Sequence, residues 1–161
     1  MRADIDGHTV LFDDDDIMLL FNHKWRIRKW GASRTYYAES GSHISGGYRT
    51  NCMHHLILGR KEGYVIDHIN GNGLDNRRAN LRHATIAQNN YNAQAHSGKR
   101  FKGTYFYASE KKPWNAQIQV NKKIHRLGRY DTEIEAARAY NEAAKKFHGQ
   151  FAKLNNLNLE D

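Results

Sequence analysis

The sequence predicts an α+β chain in two parts. Short strands around one helix lead into a strand–loop–strand–helix unit, and a three-stranded antiparallel sheet packed on one helix follows. Three observations carry this. Val65–Asn90 holds two short apolar runs separated by an Asn-Gly turn and spaced asparagines. Lys102–Tyr130 divides into three runs of strand length and pattern. From Thr132 to about His148 the apolar positions recur at helical spacing behind a capping box.

A chain of 161 residues buries a modest core and fits one domain or two small ones. The formal net charge of +8 points to a polyanionic partner. The charge is interleaved with tyrosine and tryptophan, which favours a binding surface over a basic tail. One cysteine, Cys52, excludes a disulfide framework and any zinc site built on paired cysteines. With no signal-peptide h-region and no long apolar run, a soluble, cytoplasmic protein without membrane partners is expected. A single proline, Pro113, and the lack of low-complexity tracts argue for folded structure through most of the length.

In chain order, Thr9–Phe12 is a brief apolar run, and Asp13–Asp16 precedes a helix at Ile17–Phe21. The four aspartates read as first-turn carboxylates that offset the helix dipole, in preference to a metal cluster. Lys24–Trp30 alternates as a strand, with Lys24, Arg26, Arg28 and Trp30 on one face. Its cations are either a solvated edge that discourages aggregation or phosphate contacts. Thr35–Glu39 and Tyr48–Met53 are further strands, separated by a Gly/Ser-rich turn at Gly41–Gly47. Met53–Leu58 is a short helix or strand, and Ala95–Arg100 is the expected linker. That places one domain at residues 1–97, with its core at about 53–94, and a second at 98–161.

Val65–His68 is a strand ending in a polar pair, followed by the Asn70-Gly71 turn and the loop Asn72–Ala79. Leu81–Ala84 returns as the second strand, and Thr85 can cap a helix running to about Ala93. This order would bring Asp67 near Asn89. A carboxylate oxygen and an amide oxygen suit Mg²⁺ or Mn²⁺. His68 is then a candidate base for activating water, because an unperturbed imidazole is mostly neutral at pH 7. Arg77, Arg78 and Arg82 flank the segment, either as phosphate clamps or as an exposed basic surface.

The stretch DHINGNGLDNRRANL with the following AQNN resembles the HNH (ββα-metal) endonucleases, in particular their phage and intron-encoded homing branch. The resemblance implies that His68 is the general base and that Asn80 braces the loop between the strands. It implies that Asp67 and Asn89 hold one divalent metal. The last position is asparagine where many members have histidine, so this is an H-N-N variant, with Mg²⁺ the expected ion, Mn²⁺ an alternative and Zn²⁺ disfavoured. Products would carry 5′-phosphate and 3′-hydroxyl ends. Upstream, Met53-His54-His55-Leu56 is similar to a His-Arg pair of the same branch, with His55 in the arginine's place. His54 is read as a structural residue or a phosphate contact.

Lys102–Asn155 resembles the plant ethylene-response-factor (AP-two) DNA-binding domain. The shared residues are Lys102-Gly103, Trp114-Asn-Ala-Gln-Ile, the His-Arg-Leu-Gly of 125–128, Tyr130-Asp-Thr, Glu135-Ala-Ala-Arg-Ala-Tyr-Asn and Phe151-Ala-x-Leu-Asn. In that family the free sheet face lies in the DNA major groove, a width that suits a β-ribbon. The positions matching family contacts are Lys102, Tyr105, Tyr107, Gln117, Gln119 and Arg126. Several differ in type from the plant proteins, so no target sequence carries over. Trp114 and Ile118 belong to the core beneath Tyr140 and Phe147, on a helix face of Ile134, Ala137, Tyr140, Ala144 and Phe147.

Together these features predict a metal-dependent endonuclease acting on double-stranded DNA, with a homing role in a phage or intron, working in bacterial or infected-host cytosol. A monomer would nick, and a dimer is the route to a double-strand cut. The alternatives are a DNA-binding regulator with an inactive nuclease half and, without any recognisable RNA motif, an RNA-directed protein.

Overall fold

The protein is described here by a computed structural model covering residues 1–31, 35–95, 98–108 and 111–158. Its chain forms two compact units, Met1–Ile86 and Ala87–Asp161. The expected linker at Ala95–Arg100 lies partly outside the described residues. Among the described residues no helix is long and apolar enough to cross a membrane. The fold is α+β, with short strands, small sheets and short helices.

The first unit opens with a hairpin of β1 (Arg2–Ile5) and β2 (His8–Leu11). Its two-residue turn is Asp6-Gly7, with φ of 50° and 75°. Both values are positive, as a type I′ turn requires, and Asp-Gly meets that at low cost. Asp14–Asp16 form a short 3₁₀ turn, and α1 (Met18–Asn22) begins beyond them with no acidic residue in its first turn. The aspartates thus sit at the 3₁₀ turn ahead of α1, and two of them have more distant partners. Asp13 accepts from the Arg78 backbone N–H at 2.7 Å, and Asp16 pairs with the Arg78 guanidinium at 2.7 Å. Their partners lie more than sixty positions away, which no local pattern signals.

A three-stranded antiparallel sheet comes next, ordered β3 (Trp25–Arg28), β4 (Tyr37–Ile44), β5 (Gly47–Cys52). The turn expected at Gly41–Gly47 is much tighter. β4 runs on to Ile44, which pairs with Gly47, and only Ser45 and Gly46 turn. The small residues at 41 and 42 stay within the ladder. Then α2 (Met53–Leu58) resolves the helix-or-strand ambiguity, and β6 (Val65–His68) pairs antiparallel with β7 (Leu81–Ala84). One core, built on Val10, Phe12, Ala38, Met53, Ile57, Leu74 and Leu81, joins these elements. At about 1.5–3 kcal/mol for each large buried side chain, this cluster dominates the unit's cohesion.

Helix α3 (Ile86–Asn92) crosses from the first unit into the second. The second unit then has β8 (Thr104–Phe106), β9 (Trp114–Val120) and β10 (Lys123–Tyr130) in one antiparallel sheet, with β9 central. β8 is shorter than the expected 102–108 strand. Gly103, at φ +80°, breaks the extended run, and a Cβ there would fall 2.0 Å from Cδ2 of Tyr140. α4 (Glu133–His148) covers one sheet face. Thr132 and Glu135 form the expected capping box. Ile118, Tyr140 and Ala144 are the core between sheet and helix. Phe147, expected in that core, is 41% exposed, and His148 is buried in its place. The His148 ring stacks on Tyr91 at 3.8 Å and its Nε2 bonds the Gln119 carbonyl at 2.9 Å. A polar ring with a fixed partner thus displaces the apolar one from the inner stripe.

Candidate active site

β6 delivers Asp67 and His68 side by side, and both are buried, at 5% and 7% exposure. Alternation sends neighbouring strand residues to opposite faces. Here each face has its own cover. Asp67 lies opposite Arg82 in the β6–β7 register. The guanidinium holds Asp67 Oδ2 through Nε at 2.8 Å and Nη2 at 2.7 Å. His68 packs edge-on to His54, with ring centroids 5.0 Å apart, and lies 5.9 Å from the Tyr37 ring.

The loop between the strands is held by its own amides. The Asn80 carboxamide accepts from the Asn70 N–H at 3.0 Å and donates to Asn70 Oδ1 at 3.1 Å and to the Asp75 carbonyl at 2.8 Å. Asn70 also donates to Asp75 Oδ2, and Asn70 and Asn72 cap the turn through the N–H groups two residues on. Gly73 is required by close approach, since a Cβ would meet the Tyr36 carbonyl at 2.4 Å and the Tyr37 ring at 2.7 Å. The loop is tied to β2 as well, through Leu11 N–H to the Leu74 carbonyl at 2.8 Å and Asn76 N–H to the Leu11 carbonyl at 2.7 Å.

This frame leads to Asn76, which is fully buried and faces His68 Nε2 with its Oδ1 at 3.4 Å. The Asn76 carboxamide thus fixes the orientation of the His68 ring at its Nε2 edge. Burial pulls the His68 pKa below the usual imidazole value, against the opposing pull of Asn76, Asp67 and Asp75. The ring is therefore neutral at pH 7. Asn76 and Asp75 were not among the residues singled out from sequence. They sit in an irregular loop, where no periodicity marks burial.

The flanking arginines are engaged with carboxylates. Arg77 bonds Asp75 with two N–H groups at 2.7 Å, which holds the Asp75 carboxyl below its usual range. Arg78 pairs with Asp16 and also donates to the Ile57 carbonyl, and Arg82 pairs with Asp67. Arg77 and Arg78 keep half their side chains in solvent, whereas Arg82 is only 15% exposed. Arg26 and Arg28 on β3 and Trp30 just beyond it all reach the buried Glu39 carboxylate, at 2.8, 3.0 and 3.1 Å. Lys24 is exposed.

Asp67 in the first unit offers a buried carboxylate and Asn89 on α3 in the second an exposed amide oxygen, each a hard donor of the type Mg²⁺ or Mn²⁺ takes. Within the first unit, Cys52, His54 and His55 have ligand atoms within 4.8 Å of one another, a softer set that sequence reasoning missed. Its electrostatics oppose a cation. Arg60 Nη2 stands 3.3 Å from His55 Nδ1, and burial with Glu39 nearby pushes the Cys52 thiol up to about 11, so it is protonated. Burial and the neighbouring histidines pull His54 down to about 2, and its buried Nδ1 has no hydrogen-bond partner among the described residues.

In the second unit, Gln117 pairs with Arg126 and Gln119 with Ile124 across β9–β10, and Tyr105 pairs with Asn115 across β8–β9. Alternation places these on the face opposite Ala116 and Ile118, which are buried toward α4. Tyr107 lies just past β8 and is exposed. Lys102 is turned inward. Its ammonium donates to the carbonyls of Asn90, Tyr91 and Ala93 at 3.3, 2.8 and 2.6 Å.

A sequence model of the HNH endonuclease family matches residues 54–91, which span α2, β6, the loop, β7 and most of α3. An uncharacterized HNH endonuclease, L560, of Acanthamoeba polyphaga mimivirus is 34% identical over 145 residues, covering 84% of this chain and 73% of that protein. Protein 3.8 of Escherichia phage T7 is 31% identical over 94 residues, covering 57% of this chain and 76% of that protein. No solved structure matches the chain. The order β6, β7, α3 along the chain, the Asp67-His68 pair at its first strand and the relatedness to a viral HNH endonuclease over most of both chains lead to one conclusion: the chain belongs to the HNH endonuclease family.

Proposed function

We propose that this protein is a metal-dependent endonuclease of double-stranded DNA, with cleavage centred on His68 and site recognition on the free sheet face of the second unit. The observation that carries the reading is the state of His68. It is a buried, neutral imidazole with Nε2 directed to Asn76, set beside the Asp67 carboxylate. Such a ring can take a proton from water as the water attacks phosphorus in line. Asn80 holds the loop that carries Asn76, and so fixes the ring's orientation. Asp67 and Asn89 would hold the divalent ion. When bound, Mg²⁺ would supply positive charge against the charge that gathers on the phosphate and the departing oxygen.

The second unit supports duplex recognition. Tyr105, Tyr107, Gln117, Gln119 and Arg126 offer a mixed aromatic and polar surface of the kind the AP-two resemblance implies, with Lys99 lying 3.5 Å over the Tyr105 ring. Gln117 and Gln119 share a face by period two, and glutamine can read adenine with two hydrogen bonds. Lys24 and the solvent-exposed parts of Arg26, Arg28, Arg77 and Arg78 would add phosphate contacts. The viral setting of the relatives supports a homing role in a phage or comparable genome.

The test is incubation of the full chain with supercoiled plasmid and Mg²⁺, with and without EDTA, beside His68→Ala. Nicked or linear product is expected only with metal, and His68→Ala should lower the rate by about 10²–10⁴-fold. A plasmid left supercoiled across Mg²⁺, Mn²⁺ and a range of temperatures would overturn the enzymatic reading in favour of a DNA-binding regulator.

A further inference from the structure

The three-stranded sheet of the first unit has one inward face and one that carries charge. Ile27 pairs with Ala38 across β3 and β4, and the two are part of the core or packed against it. The neighbouring pairs, Arg26 with Glu39 and Arg28 with Tyr37, project from the other face. Glu39 is nearly sealed, with 3% of its side chain exposed, whereas 45% of Arg26 and 57% of Arg28 remain in solvent. A carboxylate this deep needs partners for its charge. Arg26 and Arg28 each donate to it through Nε, and to the same oxygen, Oε1, at 2.8 and 3.0 Å, while Trp30 Nε1 donates to Oε2 at 3.1 Å.

The atom each arginine uses decides what it can still do. A guanidinium is a rigid planar fork, and one bound through Nε keeps its paired Nη donors for a second acceptor. Phosphate oxygens match that fork in spacing and charge. Two guanidiniums also stand against one carboxylate, so the cluster retains positive charge, and the exposed Lys24 adds to it. Tyr37, which faces Arg28 across the register, leads from the cluster to the candidate base. Its ring centroid lies 5.6 Å from that of Trp30 and 5.9 Å from that of His68. The loop after His68 comes down on the same ring at Gly73. One aromatic side chain thus separates the cluster from His68, and every part of this arrangement belongs to the first unit.

We infer that Arg26 and Arg28 form a clamp for one phosphate of the substrate backbone beside His68, and that Glu39 is the positioning residue holding the two guanidiniums together. This rests on the reading that duplex DNA is the substrate. A clamp differs from a basic surface in what it asks of Glu39. Diffuse attraction follows the summed charge, so a carboxylate behind the arginines only weakens it. A clamp depends on geometry. There the same carboxylate strengthens binding, because it orders two long side chains before the phosphate arrives.

The test measures the affinity of the full chain for a linear DNA duplex, in EDTA to prevent cleavage, over a range of salt. Arg26→Gln combined with Arg28→Gln should weaken binding by about tenfold and make the salt slope smaller by about one, as the loss of one phosphate contact does. Glu39→Gln decides the sign. It removes a negative charge, so diffuse attraction alone would tighten binding. The clamp requires binding weaker by about fivefold, the low end for two arginines that must now be ordered by the phosphate itself. Tighter or unchanged binding in Glu39→Gln would overturn the inference, and so would an unchanged salt slope in the double glutamine variant. Should Glu39→Gln fail to fold, Arg26→Lys combined with Arg28→Lys keeps both charges and removes the fork. It should weaken binding by a similar factor, and unchanged affinity there would overturn the inference in the same way. A wild type that binds no duplex even at low salt would sink the DNA reading itself. If the wild type binds and the variants match it, only the clamp fails.

Discussion

Acid should destabilise the first unit through His54. This side chain is 6% exposed, and burial with nearby His68, His55 and Arg60 pulls its pKa down to about 2. In the unfolded chain an imidazole titrates near 6.5. Below that pH the unfolded state gains a proton that the folded state does not, so stability falls as pH falls, and it is complete only above the unfolded value. At pH 5 the loss from His54 alone is about 1.5 pH units at 1.36 kcal/mol each, or about 2 kcal/mol. His55 and His68 shift in the same direction and steepen the slope. The measurement is native-state amide exchange across α2 and β4 at pH 7.5 and 5.0, corrected for intrinsic rates, on the wild type and His54→Phe. The apolar ring keeps the pocket filled without titrating. The variant should lose about 2 kcal/mol less than the wild type over this interval. Equal losses in the two proteins, or a wild type whose protection does not change, would refute the argument.

Three further outcomes follow from the packing. Gly103→Ala should destabilise the second unit by about 3 kcal/mol, because the residue sits at φ +80° and its Cβ would overlap the Tyr140 ring, as urea unfolding would show. Arg82→Leu leaves the Asp67 carboxylate buried without its guanidinium and should cost about 3–5 kcal/mol at pH 7, with part of the loss recovered in the Asp67→Asn double variant. Thr132→Ala removes one half of the α4 capping box and should cost about 1 kcal/mol in thermal unfolding.

Much of the fold was legible where one local rule acted alone. β6, β7, β9, β10 and α4 followed from period, turn residues and capping, to within a residue or two. The β1–β2 hairpin had the same kind of mark in Asp6-Gly7, but its strands are too short and too polar for the period to stand out. The candidate site divides in the same way. Asp67, His68 and Asn80 are marked by spacing, and the structure brings them together around one loop. Asn76 and Glu39 owe their importance to burial and to partners, which neither spacing nor composition encodes. The basic residues are the clearest instance. Arg26, Arg28, Arg77, Arg78 and Lys102 read as a cationic surface in one dimension. In three dimensions each meets a carboxylate or a set of carbonyls, so much of the formal charge is compensated inside the fold.

The bonds between β2 and the loop after His68 also bear on the order of folding. Leu11 meets Leu74 and Asn76, and Asp13 meets Arg78, across separations of about sixty residues. The loop therefore cannot reach its final form by local zipping of β6 and β7. It waits for a closure whose entropy must be met before any contact repays it, and topologies of that kind fold in milliseconds to seconds where local ones need microseconds. A fragment cut to residues 54–91 would keep Asp67, His68, Asn80 and Asn89 and yet lack the strand against which their loop sets. The shortest stretch that carries the family's motif is thus not the shortest stretch able to fold around it.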